Sequence, residues 1–155
     1  MLPDTLILEL DELSKNYPVK RAALIPALHR IQEEMGGWIS PESMELCAEY
    51  FEMEPVDVYG VVTFYPMFYT KPVGKYVVGV CRNISCDLRG AGELLESVEK
   101  ATKCRAGQSS EDGNFTVEVL ECQGACTDAP MLVLNGAYHE NLDPERVEQL
   151  IGELN

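Results

Sequence analysis

The chain has 155 residues, 46% of them apolar, enough to build a core and too apolar for a disordered segment. Twelve basic against 26 acidic side chains leave a formal charge of −14, which argues against nucleic acid and for neutral or basic partners, or for solubility alone. No apolar run approaches the ~20 residues of a membrane-spanning helix, so no direct membrane insertion is expected.

The first seventy residues read as helices. Leu6, Leu10, Leu13 and Tyr17 recur at helical spacing before Pro18. Leu24, Ala27, Leu28, Ile31 and Met35 form a second stripe that stops at Gly36-Gly37, with Pro26 expected in the first turn or at a kink. Ser40-Pro41-Glu42 opens a third helix with a capping hydroxyl, a proline at the first position and an acid near the positive dipole end. Met44, Cys47, Ala48 and Phe51 mark its buried face. Glu54-Pro55 begins a short fourth helix through Tyr59. Together these segments predict a small helical bundle over residues 1–71.

The pattern changes at Pro72-Val73-Gly74. Tyr76 to Val80 is a β-branched run bounded by turn residues, hence a buried strand with Cys81 at its end. Residues 82–90 are expected as a loop, and Ala91, Leu94, Leu95, Val98 and Ala101 mark a helix. Residues 105–114 form a polar connection. Phe115 to Leu120 is a second strand, with Cys122 just past it. Met131 to Leu134 is a third, Asn135-Gly136 a tight hairpin turn, and Ala137 to His139 a fourth. Asp143-Pro144-Glu145 caps a last helix striped by Val147, Leu150, Ile151 and Leu154. Residues 72–155 thus read as β-α-β-β-α, a compact α/β unit.

Four of the six cysteines fall into two pairs, Cys81-x4-Cys86 and Cys122-x3-Cys126. Each pair follows the C-terminal end of a predicted strand. If those strands are neighbours, the loops share one sheet edge and four sulfurs can converge, at the edge where α/β sheets bind ligands. The opening MLPDTLILELDEL has neither the basic start of a signal peptide nor the Arg-rich character of a transit peptide. A cytoplasmic setting is therefore expected, where clustered thiols serve metals rather than disulfides. The spacing favours a [2Fe–2S] cluster. A four-cysteine zinc site stays open, although zinc knuckles prefer two-residue spacers. So do redox-active or uninvolved thiols, although a C-x-x-C redox motif is missing. Gly124 allows positive φ close to the metal, the helix near Gly90-Ala91 offers free N–H groups to the sulfurs, and Arg82 and Arg89 lie close enough in sequence to moderate the negative charge.

The remaining candidates read as structural. Cys47 lies on a buried stripe and Cys104 is expected as a free thiol. His29 and His139 are isolated, no grouping has the make-up of a catalytic site, and no Gly-rich phosphate loop suggests that the chain binds a nucleotide or flavin itself. The aromatic and Met-rich stretch from Val61 to Tyr69 is expected to pack the bundle onto the α/β unit, or else to form a docking surface.

The ordered motifs Asp57-Val58-Tyr59-Gly60-Val61-Val62-Thr63-Phe64-Tyr65, Pro72-Val73-Gly74-Lys75, Cys81-x4-Cys86-x-Leu88-Arg89-Gly90-Ala91 and Glu121-Cys122-x-Gly124-Ala125-Cys126-x-x-Ala129-Pro130 resemble one family closely. It is the thioredoxin-like [2Fe–2S] subunit of the NADH dehydrogenase module of respiratory complex I (NADH:quinone oxidoreductase). The resemblance implies an α/β fold, a thioredoxin-like [2Fe–2S] ferredoxin domain preceded by an N-terminal helical bundle that docks the partner. It implies Cys81, Cys86, Cys122 and Cys126 as the cluster ligands, two per iron, and a cis Ala129–Pro130 bond. It implies single-electron exchange with FMN on an FMN- and NADH-binding flavoprotein subunit, beside the main chain of clusters to quinone. Further partners would be other peripheral-arm subunits, and the location the inner face of the cell membrane, reached through them. Soluble NAD-linked hydrogenases and formate dehydrogenases carry the same module. Self-association of the isolated chain through the aromatic segment is left open.

Overall fold

The computed structural model describes residues 2–154. The chain divides into two compact units, Met1–Pro72 and Val73–Asn155.

The first unit is helical: α1 (Asp4–Ser14), a 3-10 turn (Lys20–Ala23), α2 (Leu24–Glu34), α3 (Pro41–Phe51) and α4 (Pro55–Phe64). Pro26 is the third residue of α2, inside the first turn, where a missing N–H leaves no intrahelical bond unmade. The Ser40 hydroxyl accepts from Ser43 N at 3.1 Å and caps α3. Leu6, Leu10, Leu28, Ile31, Cys47 and Val58 are fully enclosed in the core of this unit. Each buried aliphatic side chain contributes about 1.5–3 kcal/mol. Helix α4 runs five residues beyond the expected Tyr59, because Val62 follows Val58 at i+4 into the same core. The aromatic stretch therefore starts in a helix. Beyond it Phe68 is buried in the same core, its ring 4.9 Å from that of His29. Gln32 holds the segment 67–69 from both sides, accepting from Tyr69 N at 2.8 Å and donating to Met67 O at 3.1 Å.

The second unit contains β1 (Tyr76–Cys81), α5 (Ile84–Leu88), α6 (Ala91–Thr102), β2 (Gln108–Ser109), β3 (Phe115–Leu120), a 3-10 turn (Cys126–Asp128), β4 (Leu132–Leu134), β5 (Ala137–His139) and α7 (Pro144–Gly152). The sheet order is β2-β3-β1-β4-β5. Strands β1 and β3 pair in parallel, in register from Tyr76 opposite Phe115 to Cys81 opposite Leu120, and the other pairs are antiparallel. A parallel pair needs a crossover, which α6 supplies. Leu94 and Val98 of α6 and Val147 and Ile151 of α7 pack with Val78, Val80 and Val117 into one core.

Three expectations are corrected here. The 82–90 loop contains α5, a helix too short to show periodicity. The 105–114 connection contributes β2, two exposed polar residues paired with β3. The third strand begins at Leu132 rather than Met131. The Ala129–Pro130 bond is cis, as the resemblance implied. Gly74 lies against the start of β3, where a Cβ would come within 2.5 Å of the Phe115 carbonyl carbon, so this position admits only glycine without a backbone shift. The β4–β5 turn places Asn135 (φ 46°) and Gly136 (φ 83°) in the left-handed region, the geometry of a two-residue hairpin turn. The Asn135 side chain accepts from Val77 N at 2.8 Å and donates to Lys75 O at 3.1 Å, which ties the turn to β1.

Candidate metal centre

The parallel register brings both cysteine loops to one edge of the sheet. Cys81 is the last residue of β1, and its N–H bonds Met131 O at 3.3 Å. The Arg82 N–H bonds Leu120 O at 3.0 Å, so the strand end is clamped between its two neighbours. The Asn83 side chain then caps α5, accepting from Ile84 N at 2.9 Å. This short helix turns the chain back and returns Cys86 to the same buried cluster as Cys81. Both are buried, packed with Ala91, Ala129 and Met131. Ala91 is the first residue of α6, so the start of that helix adjoins the pair.

The second loop is built differently. Cys122 follows β3 by two residues, Gly124 takes φ 83°, and Cys126 opens the 3-10 turn. Cys122 and Cys126 are exposed, with their sulfurs 3.5 Å apart. Two thiolates on one tetrahedral ion with bonds of about 2.3 Å stand about 3.8 Å apart, so this pair is near the spacing one metal ion requires. From β5, the Tyr138 hydroxyl donates to Gln123 O at 3.0 Å and holds the loop.

The two loops are stitched together. Asn83 Nδ2 reaches Glu121 Oε2 at 3.3 Å and Arg89 Nη1 reaches Thr127 O at 3.3 Å. The Ser85 hydroxyl, from the first loop, acts on Cys126 of the second and favours its thiolate. Ser85, Asn83 and Tyr138 escaped sequence reasoning, since nothing about a lone Ser, Asn or Tyr signals a partner across a fold. Arg82 is paired with Asp87, which offsets its charge, whereas Arg89 donates to a neutral carbonyl and keeps its charge.

Electrostatics reports the crowding of the thiols. The Cys86 thiol is pushed up to about 11, first by burial, then by its hydrogen bond to Cys81 and the negative charge of Cys81 and Cys126. Cys126 is raised chiefly by its hydrogen bond with Cys122, against the Ser85 hydroxyl, which lowers it. A site that penalises several thiolates at close range gains from a cation that compensates them. Among the described residues, no three His, Cys, Asp or Glu side chains close around one point as they would around a single ion. The cysteines stand as two pairs, Cys81 with Cys86 in one lining and Cys122 with Cys126 in the other loop. Cys104 lies apart in the core, its thiol donating to Gln108 O at 3.0 Å and raised chiefly by burial, and Cys47 is enclosed in the helical unit.

The thioredoxin-like [2Fe-2S] ferredoxin family model matches residues 10–155. The chain belongs to that family. The ferredoxin match takes in all four paired cysteines and most of the helical unit. An NADH-quinone oxidoreductase subunit of Rickettsia felis is 38% identical over 145 residues, covering 92% of this chain and 87% of that protein. An NADH-quinone oxidoreductase subunit of Rhizobium meliloti is 38% identical over 143 residues, covering 92% and 84%. Among solved structures, an NAD+-reducing [NiFe]-hydrogenase in the H2-reduced state superposes with a TM-score of 0.74 at 22% identity. That likeness, over 84% of this chain and 22% of the hydrogenase chain, establishes the fold. Among the described residues, no helix is long and apolar enough to cross a membrane.

Proposed function

We propose that this chain is the electron-transfer subunit of an NADH:quinone oxidoreductase, with one [2Fe–2S] cluster on Cys81, Cys86, Cys122 and Cys126. The observation that carries the reading is the meeting of two cysteine pairs at one sheet edge, in a member of a [2Fe–2S] family. The NADH-quinone oxidoreductase relatives, matched over more than four-fifths of their length, supply the enzyme class. Bound between the loops, the cluster supplies reversible one-electron transfer. Cys81 and Cys86, with Met131 and Ala129 packed on them, keep water from one side of the site. Cys122 and Cys126 leave the other side open to an electron donor. The Ser85 hydroxyl favours negative charge on Cys126, and such a group would stabilise added negative charge there. A net charge of −14 opposes that addition, so the reduction potential is low.

In this reading the donor is FMN on an FMN- and NADH-binding flavoprotein subunit, and residues 1–71 dock the chain within the peripheral arm. The chain has no complete active site of its own. It sits in the cytoplasm, held at the inner face of the membrane by its partners. The equivalent place in a soluble NAD-linked enzyme is the second reading, favoured by the hydrogenase superposition alone.

The test is EPR of the anaerobically purified chain before and after dithionite, with iron and sulfide counted on the same sample. A silent oxidised sample that gives an S = 1/2 signal on reduction, with two irons and two sulfides per chain, supports the cluster. Zinc without iron or sulfide sinks it. Co-purification of the native complex, assayed with quinone and with soluble acceptors, separates the two enzyme readings.

A further inference from the structure

The two pairs offer their sulfurs to solution very unequally. Cys122 and Cys126 are exposed, 3.5 Å apart, in a segment with no strand pairing between Leu120 and the 3-10 turn. Cys81 and Cys86 are 2% exposed each, one inside a strand and the other inside a helix. Exchange with a disulfide in solution needs an in-line approach to sulfur, which the exposed pair permits and the buried pair denies. We propose that, before metal is loaded, Cys122 and Cys126 form a reversible disulfide on meeting a small-molecule disulfide, while Cys81 and Cys86 stay thiols.

The chemistry is two exchange steps. One exposed thiol, as its thiolate, attacks the small disulfide; a protein–small-molecule S–S bond forms and one small thiolate leaves. The neighbouring thiol then attacks the protein sulfur of that bond. The Cys122–Cys126 S–S bond forms and the second small thiolate leaves. Two protein thiols are oxidised, one small disulfide is reduced to two thiols, and the two protons pass to the leaving thiolates. The closing step is favoured over a lasting adduct because the second sulfur is already adjacent.

The consequence rests on the ligand reading above: closure removes two of the four metal donors, so the oxidised chain waits for a dithiol before it can be loaded. The exposed pair is thus a reversible cap, and the buried pair is spared.

The experiment treats the full, metal-free chain with oxidised glutathione, quenches with iodoacetamide in denaturant, and digests with trypsin. Cys122 and Cys126 fall within one tryptic peptide, Ala106 to Arg146, whereas Cys81 and Cys86 fall in two others, ending at Arg82 and Arg89. The expected result is loss of two hydrogen masses within 106–146, with Cys81 and Cys86 alkylated. A link joining two peptides, or a lasting glutathione adduct on the unsubstituted chain, overturns the proposal. Cys122→Ser or Cys126→Ser must trap glutathione on the remaining exposed thiol; failure of both also overturns it. Iron uptake is then measured with and without dithiothreitol. Uptake restored only by the reductant supports the cap, and full uptake without it refutes the cap. If the reduced chain takes up no iron, the ligand reading fails, and the peptide masses still decide the disulfide.

Discussion

Cys81 and Cys86 are fixed by the architecture: a strand end clamped between two neighbours, a capped turn of helix, and a lining of Ala91, Ala129 and Met131. Cys122 and Cys126 are fixed by a loop, and the loop by a tyrosine, a left-handed glycine and bonds to the first pair's segment. The difference teaches that one centre can be half fold and half graft. The first pair's positions follow from core packing, while the second pair's positions depend on a few separable polar contacts.

Replacing a cysteine in each half gives the sharpest contrast. Cys81→Ala and Cys122→Ala both abolish the cluster, seen as loss of iron and of the reduced-state EPR signal. In urea melts of the metal-free chain, Cys81→Ala lowers stability by about 1 kcal/mol or more through lost core packing. Cys122→Ala stays within about 0.5 kcal/mol, as exposed substitutions do. Equal destabilisation would erase the distinction. Next in size is Gly124→Ala, which forces a side chain to φ 83°, a strain of about 1–2 kcal/mol confined to the graft. Its expected result is reduced iron occupancy together with a urea midpoint of the metal-free chain lowered by no more than that strain.

Tyr138→Phe removes the hydroxyl bond to Gln123 O, a contact of about 0.5–1.5 kcal/mol. Amide exchange should quicken over 121–126 and not over 81–86. Ser85→Ala keeps the cluster but lowers its reduction potential by about 20–60 mV, since a donated hydrogen bond favours the more negative state. A potential that rises would contradict the assigned direction of that bond. A control with no effect on the cluster lies in the helical unit. Burial pushes the Cys47 thiol up to about 12, so the neutral form is favoured in the folded state. Its contribution is fully present below the unfolded thiol's pKa of about 8.5 and fades as pH rises towards 12. Cys47→Ala should flatten the alkaline end of the stability profile without touching the cluster.

Sequence pattern made the large elements legible. The capped starts at Ser40 and Asp143 were readable because each cap is a local chemical event, and the Asp143 side chain does accept from Arg146 N at 2.8 Å. Convergence of the cysteines was readable because two strand ends preceded them. What escaped was non-local or too short to repeat. β2 is two polar residues whose strand character exists only through pairing with β3. α5 spans barely more than one turn, yet it decides where Cys86 points. The unequal exposure of the pairs was invisible too, because the covering residues Ala129 and Met131 lie far along the chain from Cys81 and Cys86 and look like any other apolar side chains.

The hairpin turn at Asn135-Gly136 has a consequence for how the molecule ages. An asparagine followed by glycine is the dipeptide most prone to succinimide formation, in which the backbone nitrogen of the glycine attacks the side-chain carbonyl. Here that carboxamide is gripped at both ends, its oxygen by Val77 N and its nitrogen by Lys75 O. Rotation into the attacking geometry requires both bonds to break. Deamidation at residue 135 is therefore a clock for opening of the β4–β5 hairpin, running slowly in the native chain and quickly wherever that edge of the sheet has come undone.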